Sequence, residues 1–135
     1  MKRVLVTGGA GFIGSHLVDR LIADGHDVTA VDNLATGREA TLRQHVGNSR
    51  FRFVRADVRD RGRMDELFKD QKFSQVFHLA ALADIVPSIV DPMEYFTTNV
   101  QGTANVLEAA RQNGVKRFVY VASGSSYGIP DKYPT

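Results

Sequence analysis

Thr7-Gly8-Gly9-Ala10-Gly11-Phe12-Ile13-Gly14-Ser15 follows directly on the apolar run Val4-Leu5-Val6. The stretch holds Gly9-x-Gly11-x-x-Gly14 and the overlapping Gly8-x-x-Gly11-x-x-Gly14. Early glycines permit a tight strand-to-helix turn, Gly11 admits an anion close to the backbone, and Gly14 allows the helix to pack tightly. The N–H groups left free at the helix start then face a phosphate along the helix dipole. Three glycines alone carry little weight. Here they follow a strand, open a helix and precede an acid, Asp32, at the end of the next strand-like run, which is the context of a dinucleotide site. A carboxylate at Asp32 would bind the adenosine ribose hydroxyls and repel a 2′-phosphate, selecting NAD over NADP. The competing reading is a solvated Asp in an Asp-Asn turn.

Outward from this turn, short apolar runs alternate with helical patterns. Strands are expected at Arg3–Thr7, Asp27–Asp32, Arg50–Ala56, Gln75–Leu79 and Arg117–Ala122, rich in Val and Phe as in a parallel sheet covered on both faces. Helices are expected at Ile13–Asp24, Arg38–His45, Arg63–Lys69 and Pro92–Asn113. In the first, Ile13, Leu17 and Leu21 fall on one stripe, and Gly25 supplies a left-handed stop. In the last, Asp91 caps, Pro92 takes the first position and Glu94 completes a capping box. Met93, Phe96, Val100, Leu107 and Ala110 then form a broad apolar side, wider than one sheet-facing stripe needs, and Gly114 ends the helix. The alternation predicts an α/β fold, a doubly wound parallel sheet with right-handed crossovers. With no linker or repeat, residues 1–135 read as one domain.

Composition narrows the function. The 135 residues carry 17 Lys and Arg against 15 Asp and Glu, a formal net charge of +2. The densest basic stretch, Arg50 to Arg63, is interrupted by Asp57 and Asp60, and Arg50 and Arg52 alternate with Phe51 and Phe53. That is the period of a strand with one wet face, so no nucleic-acid partner is expected. Without cysteine there is no disulfide framework or thiolate metal site. His16, His26, His45 and His78 lack metal-ligand spacing, and His78 in its apolar run reads as a satisfied core histidine. No run of about 18 apolar residues or leader pattern is present, so the expected partner set excludes the membrane and the expected compartment is the cytoplasm.

Beyond the glycines, several segments resemble one family. Thr-Gly-Gly-Ala-Gly-Phe-Ile-Gly-Ser-His-Leu from Thr7, Asp32-Asn33-Leu34, Asp57-Val58, Val76-Phe77-His78-Leu79-Ala80-Ala81, Asn99-Val100-Gln101-Gly102-Thr103 and Val121-Ala122-Ser123-Gly124-Ser125-Ser126-Tyr127-Gly128 occur in the order found in extended short-chain dehydrogenases/reductases, especially the UDP-galactose 4-epimerase group. The resemblance implies an NAD-binding Rossmann fold and NAD as cofactor. It places Gly8, Gly11, Phe12 and Ile13 on the pyrophosphate, Asp32 and Asn33 on the ribose, and Asp57 and Val58 beside the adenine. Leu79, Ala80 and Ala81 would pass under the cofactor, with Asn99 supporting from the helix. The alanines could instead be close-packed core, and Asn99 could hydrogen-bond a neighbouring loop. Ser123 would be the catalytic hydroxyl.

Two positions depart from relatives in the resemblance: Ala83 stands where several epimerases carry lysine, and Gly124-Ser125 where sugar-nucleotide dehydratases carry Asp-Glu. The family's Tyr-x-x-x-Lys, which aligns base and lysine on one helix face, is absent. Tyr95, Tyr120 and Tyr127 are followed four residues on by Asn99, Gly124 and Asp131. The expectation is a fragment, ending in the loop-like Lys132–Thr135, whose base and substrate-binding domain lie downstream and which is inactive alone. The implied activity is epimerisation of a nucleotide sugar, most simply at C4 of a UDP-hexose, by a parent enzyme that is a homodimer. The rivals are a non-catalytic NAD-binding module and another nucleotide-sugar reaction of the same fold.

Overall fold

The five apolar runs form one parallel sheet. In a computed structural model, which describes residues 1–129 and Lys132, the strands are β1 (Arg3–Thr7), β2 (Asp27–Asp32), β3 (Phe51–Arg55), β4 (Gln75–His78) and β5 (Arg117–Tyr120). Their spatial order is β3-β2-β1-β4-β5. The chain thus winds outward from β1 to one edge, then crosses back to the other. Such a reversal leaves a crevice at the carboxyl ends of the central strands. Register brings those ends level: Thr7 pairs with Val31 on one side and His78 on the other, and His78 with Tyr120.

The central strand feeds two apolar layers because successive side chains point to opposite faces. Leu5 joins Val31, Val54 and Val76 beneath α2 (Arg61–Gln71) and α5 (Thr103–Gln112), which contribute Met64, Leu67, Phe68, Val106, Ala109 and Ala110. Val4 and Val6 join Val28 and Ala30 beneath α1 (Phe12–Ala23), which contributes Val18 and Leu21, and a 3₁₀ helix (Glu39–His45), which contributes Leu42. The doubly wound parallel architecture is therefore present. β3 is an edge strand in which Arg52, alternating with the partly buried Phe51 and Phe53, is exposed.

Several local expectations are corrected. The fully buried stripe of α1 is Gly14, Ser15, Val18 and Leu21, with Leu17 partly buried against the same cluster, so of the expected Ile13, Leu17 and Leu21 only Ile13 fails to pack. Ile13 is 63% exposed, because the close seat of Gly14 on the glycine turn sets the helix's rotation. The segment after β2 is a 3₁₀ rather than an α-helix. An unexpected short helix, α3 (Ile85–Val90), precedes Asp91. The long helix is not uniform: α4 (Pro92–Phe96) passes through a π-helical segment (Thr97–Gly102) into α5. Asp91 does cap α4, accepting from Glu94 N–H at 3.0 Å. Its own N–H donates to the Pro87 carbonyl of α3 at 2.9 Å, so that donor is satisfied without the return bond of a capping box. Gly25 and Gly114 adopt the expected left-handed geometry, with φ of 82° and 68°. Of the expected C-terminal loop, all but Lys132 lies outside the described residues.

Candidate functional site

A cavity of about 360 Å³ opens where the strand order reverses. Its floor is the glycine turn. Gly8 has φ +68°, and a Cβ on it would lie 2.8 Å from Ala80 N and 2.9 Å from the Leu79 carbonyl carbon, so glycine is what allows β1's end to touch β4's. Gly14 is seated on the turn itself: an added Cβ would meet the Gly8 carbonyl and come within 2.9 Å of the Gly9 Cα. A Cβ on Gly11 would meet only the Gly8 oxygen, at 3.2 Å, so this position is shaped for close approach from the cavity. No side chain caps the start of α1, and Gly11, Phe12, Ile13 and Gly14 all line the cavity. Uncapped N–H groups at a helix start are what a pyrophosphate takes up.

Asp32 forms the wall on the β2 side. It is only 8% exposed, which rules out a merely solvated turn residue. One carboxylate oxygen accepts from Ala10 N–H at 3.0 Å and the other from Leu34 N–H at 2.8 Å. The latter bond closes a turn that holds Leu34 at φ +63°. The acid thus couples the glycine turn to the loop after β2, and Ala10 is held again by Arg38 N–H and the Thr41 hydroxyl, both donating to its carbonyl at 3.0 Å. Each carboxylate oxygen keeps a further lone pair for a ligand hydroxyl.

Asn33 and Asp57 meet behind the wall. Asn33 donates to Asp57 at 2.9 Å, and Arg59 grips both Asp57 oxygens at 3.0 and 2.7 Å. The Arg59 guanidinium, with help from Asn33, holds the Asp57 carboxyl down at about 2 despite partial burial. Val58 and Arg59 line the cavity; Asp57 does not. Val58 is pressed against Gly102, where a Cβ would fall 2.6 Å from its methyl group, and its carbonyl accepts from Asn105 at 3.1 Å.

On the β4 side, Leu79, Ala80, Ala81 and Leu82 complete the wall. Asn99 does not reach the cavity. Its amide accepts from Leu82 N–H and donates to the Leu82 carbonyl, both at 2.8 Å, so the neighbouring loop it bonds is the cavity wall itself. The π-helical segment carries Asn99, and such widened turns recur at functional sites.

The structure therefore brings together Gly8, Gly11, Phe12, Ile13, Asp32, Asn33, Val58, Leu79, Ala80 and Ala81 around one cavity, with Asp57 and Asn99 in its supporting layer. Ser123 is not on the lining. It is exposed, just past β5, and Val121 is the nearest lining residue before it. Arg59, Glu94 and Thr98 also line the cavity and were not expected. The signal for Arg59 was its place two residues after Asp57. Among the described residues no helix is long and apolar enough to cross a membrane.

Comparison with known proteins agrees with this geometry. Residues 4–135 match the family described as NAD dependent epimerase/dehydratase. The chain is 47% identical over 134 residues to UDP-glucose 4-epimerase of Mycolicibacterium smegmatis, covering 98% of this chain and 42% of that protein. It is 37% identical to a UDP-glucose 4-epimerase of Klebsiella pneumoniae, covering 98% and 96%. Among solved structures, UDP-glucose-4-epimerase from Stenotrophomonas maltophila, with bound NAD and formylated UDP-arabinopyranose, superposes with a TM-score of 0.90 at 36% identity, over 100% of this chain and 41% of that one. The chain thus spans about two fifths of the length of the first of these relatives and of this structure.

Proposed function

The chain belongs to the NAD dependent epimerase/dehydratase family, and we propose that it is the NAD-binding domain of a nucleotide-sugar 4-epimerase whose substrate is a UDP-hexose. The observation that carries the reading is one cavity in which the uncapped start of α1, the Asp32 carboxylate and the Leu79–Leu82 wall converge. Residues and group fit. Gly11 N–H is taken by the Gly8 carbonyl at 3.1 Å, so backbone N–H groups at Phe12–Gly14 would hold the pyrophosphate, Asp32 and Asn33 the ribose, and Val58 would pack beside the adenine. Asp57 and Arg59 would keep that end of the wall in place, and Asn99 would do so for Leu82.

When bound, NAD supplies a nicotinamide that accepts a hydride and gives it back. The chain's part is to orient it and exclude water: Val31, Ala56, Val58, Leu79, Ala80 and Ala81 give the cavity an apolar lining. Ser123 would donate a hydrogen bond to the sugar oxygen as charge develops there, the kind of stabilisation that works through a fixed donor. The proton acceptor is assigned outside this chain, since no Tyr-x-x-x-Lys occurs in it.

The proposal extends to a homodimer. Met93, Phe96, Val100 and Leu107 are 62%, 51%, 54% and 49% exposed. An apolar face of that kind on a helix is ordinarily covered by a partner.

The test uses the whole protein with UDP-glucose, UDP-N-acetylglucosamine and UDP-glucuronate in turn, followed by sugar analysis. Inversion at C4 with no net change in NAD is expected. Stoichiometric NADH or a dehydrated 4-keto product would overturn the epimerase reading.

A further inference from the structure

His78, the last residue of β4, is 1% exposed and does not line the cavity, yet it is hydrogen-bonded at both ring nitrogens. Nδ1 lies 2.7 Å from the Thr7 hydroxyl and Nε2 lies 2.9 Å from the Thr103 hydroxyl. The directions of these bonds follow from the remaining partners. Thr103 Oγ1 lies 2.6 Å from the Asn99 carbonyl, which can only accept, so the Thr103 proton is spent there and its oxygen accepts from His78 Nε2. The neutral ring then presents Nδ1 as an acceptor, and the Thr7 hydroxyl donates to it. Thr7 Oγ1 in turn faces Ala80 N–H at 3.3 Å and Leu79 N–H at 3.2 Å, the latter shared with the Thr7 carbonyl at 3.1 Å.

The same Asn99 clamps Leu82 through both amide atoms. The segment 79–82, one wall of the cavity, is therefore held at its start by Thr7 and at its end by Asn99. His78 is the group that joins the two holds. The rings of Phe118 and Tyr120 flank it at 6.0 Å, so its place could be filled by an apolar ring. What such a ring could not do is direct the two hydroxyls.

We propose that His78 is a positioning residue of the cofactor cavity, fixing segment 79–82 through Thr7 and Thr103 and thereby seating the half of the dinucleotide that lies away from Asp32. The inference rests on the NAD reading above. Asp32 is on β2 and segment 79–82 follows β4, on opposite sides of β1, a separation of about 10 Å across two strand spacings. An adenosine half at Asp32 and a nicotinamide half at residues 79–82 can thus be perturbed separately.

The experiment measures AMP and NAD affinity of the whole protein for the wild type, His78→Phe, His78→Asn and Thr103→Val. His78→Phe keeps the ring volume and should weaken NAD by about tenfold, the effect of a lost hydrogen bond or two, while AMP stays within about twofold on the same scale. His78→Asn, which restores an acceptor near Nδ1, should recover part of the loss. Thr103→Val removes a single hydroxyl and should show the same selective loss on a smaller scale even where His78→Phe does not fold. Equal weakening of AMP and NAD, or none, would overturn the proposal, as would a ring shown by ¹⁵N NMR to be protonated on Nδ1. A wild type that binds AMP but not NAD would overturn the cofactor reading itself.

Discussion

Gly14 is seated directly on the carbonyl of Gly8, so closely that a side chain at residue 14 would have to displace the turn. The neighbours a methyl group would meet are backbone atoms of Gly8 and Gly9, which cannot swing aside as a flexible side chain would. Gly14→Ala should therefore cost about 1–3 kcal/mol or more, the range of overpacking in a tight site. It should also lower NAD affinity, since the start of α1 would be pushed off the cavity floor. Urea unfolding and NAD titration would check both; an unchanged unfolding midpoint would contradict the packing argument.

Asp32 has a structural task beside the selective one proposed for it. Its carboxylate holds Ala10 and Leu34 N–H and remains open to a ribose. The wild type should bind NAD more tightly than NADP, and Asp32→Ala should shrink that preference. The variant should also lose roughly 1–3 kcal/mol of stability for the buried donors left without partners. Equal binding of the two cofactors by the wild type would sink the selectivity argument.

The main strands were legible because a parallel sheet buried on both faces needs continuous apolar runs, and Val4–Val6 and Val28–Val31 have no other use. The glycine turn and Asp32 were legible for the same reason: few other residues meet those steric and charge requirements. Three features were not. In α3, Ile85, Val86, Ile89 and Val90 are more than 70% exposed, so no buried stripe marks the helix, and Pro87 obscures it further. The π-helical segment leaves the spacing of Met93, Phe96 and Val100 intact, so the pattern reads as one helix. Arg59 sits in a run of arginines whose solvent-facing members hide the one that pairs with Asp57. Ser123 is a different case, since its role rests on resemblance and the cavity wall stops at Val121.

Burial pulls the His78 imidazole down to about 4 from an ordinary 6.5. Between those pH values the unfolded chain takes up a proton that the folded chain refuses. The stability contributed by neutral His78 is complete above about pH 6.5 and is lost as pH falls toward 4, at about 1.4 kcal/mol per pH unit, roughly 3 kcal/mol in all. Asp57, held near 2, adds a loss of the same sign only below its ordinary 3.8. Denaturant unfolding from pH 7 to 4 should show a slope that His78→Phe flattens. An identical slope in the variant would assign the proton uptake elsewhere.

The exposed apolar face of α4 and α5 should set the oligomeric state. Met93→Asp with Leu107→Asp puts two carboxylates where a second copy would press, while neither wild-type side chain lies in the buried core. Sedimentation of the whole protein at micromolar concentration should give a dimer for the wild type and a monomer for the variant. A monomeric wild type would remove the homodimer from the proposal.

Ser123 offers the sharpest separation of chemistry from binding. Its carbonyl accepts from the N–H and the hydroxyl of Ser126, at 3.1 and 2.8 Å, so its backbone is tied to the start of a short 3₁₀ turn (Gly124–Tyr127) that follows β5. Val121, two residues earlier, lies on the wall. A hydroxyl carried by such a turn can meet a substrate oxygen without touching the dinucleotide. Ser123→Ala in the whole protein should slow the chemical step by about 10²–10³, equivalent to roughly 2.7–4 kcal/mol of transition-state stabilisation. NAD affinity should stay as in the wild type, and Ser123→Thr should restore most of the rate because it returns the donor. Single-turnover kinetics with a UDP-hexose, read alongside NAD titration, would separate the two effects. A rate unchanged in Ser123→Ala would remove this residue from the chemistry, and a parallel loss of NAD affinity would make it part of the cofactor site instead.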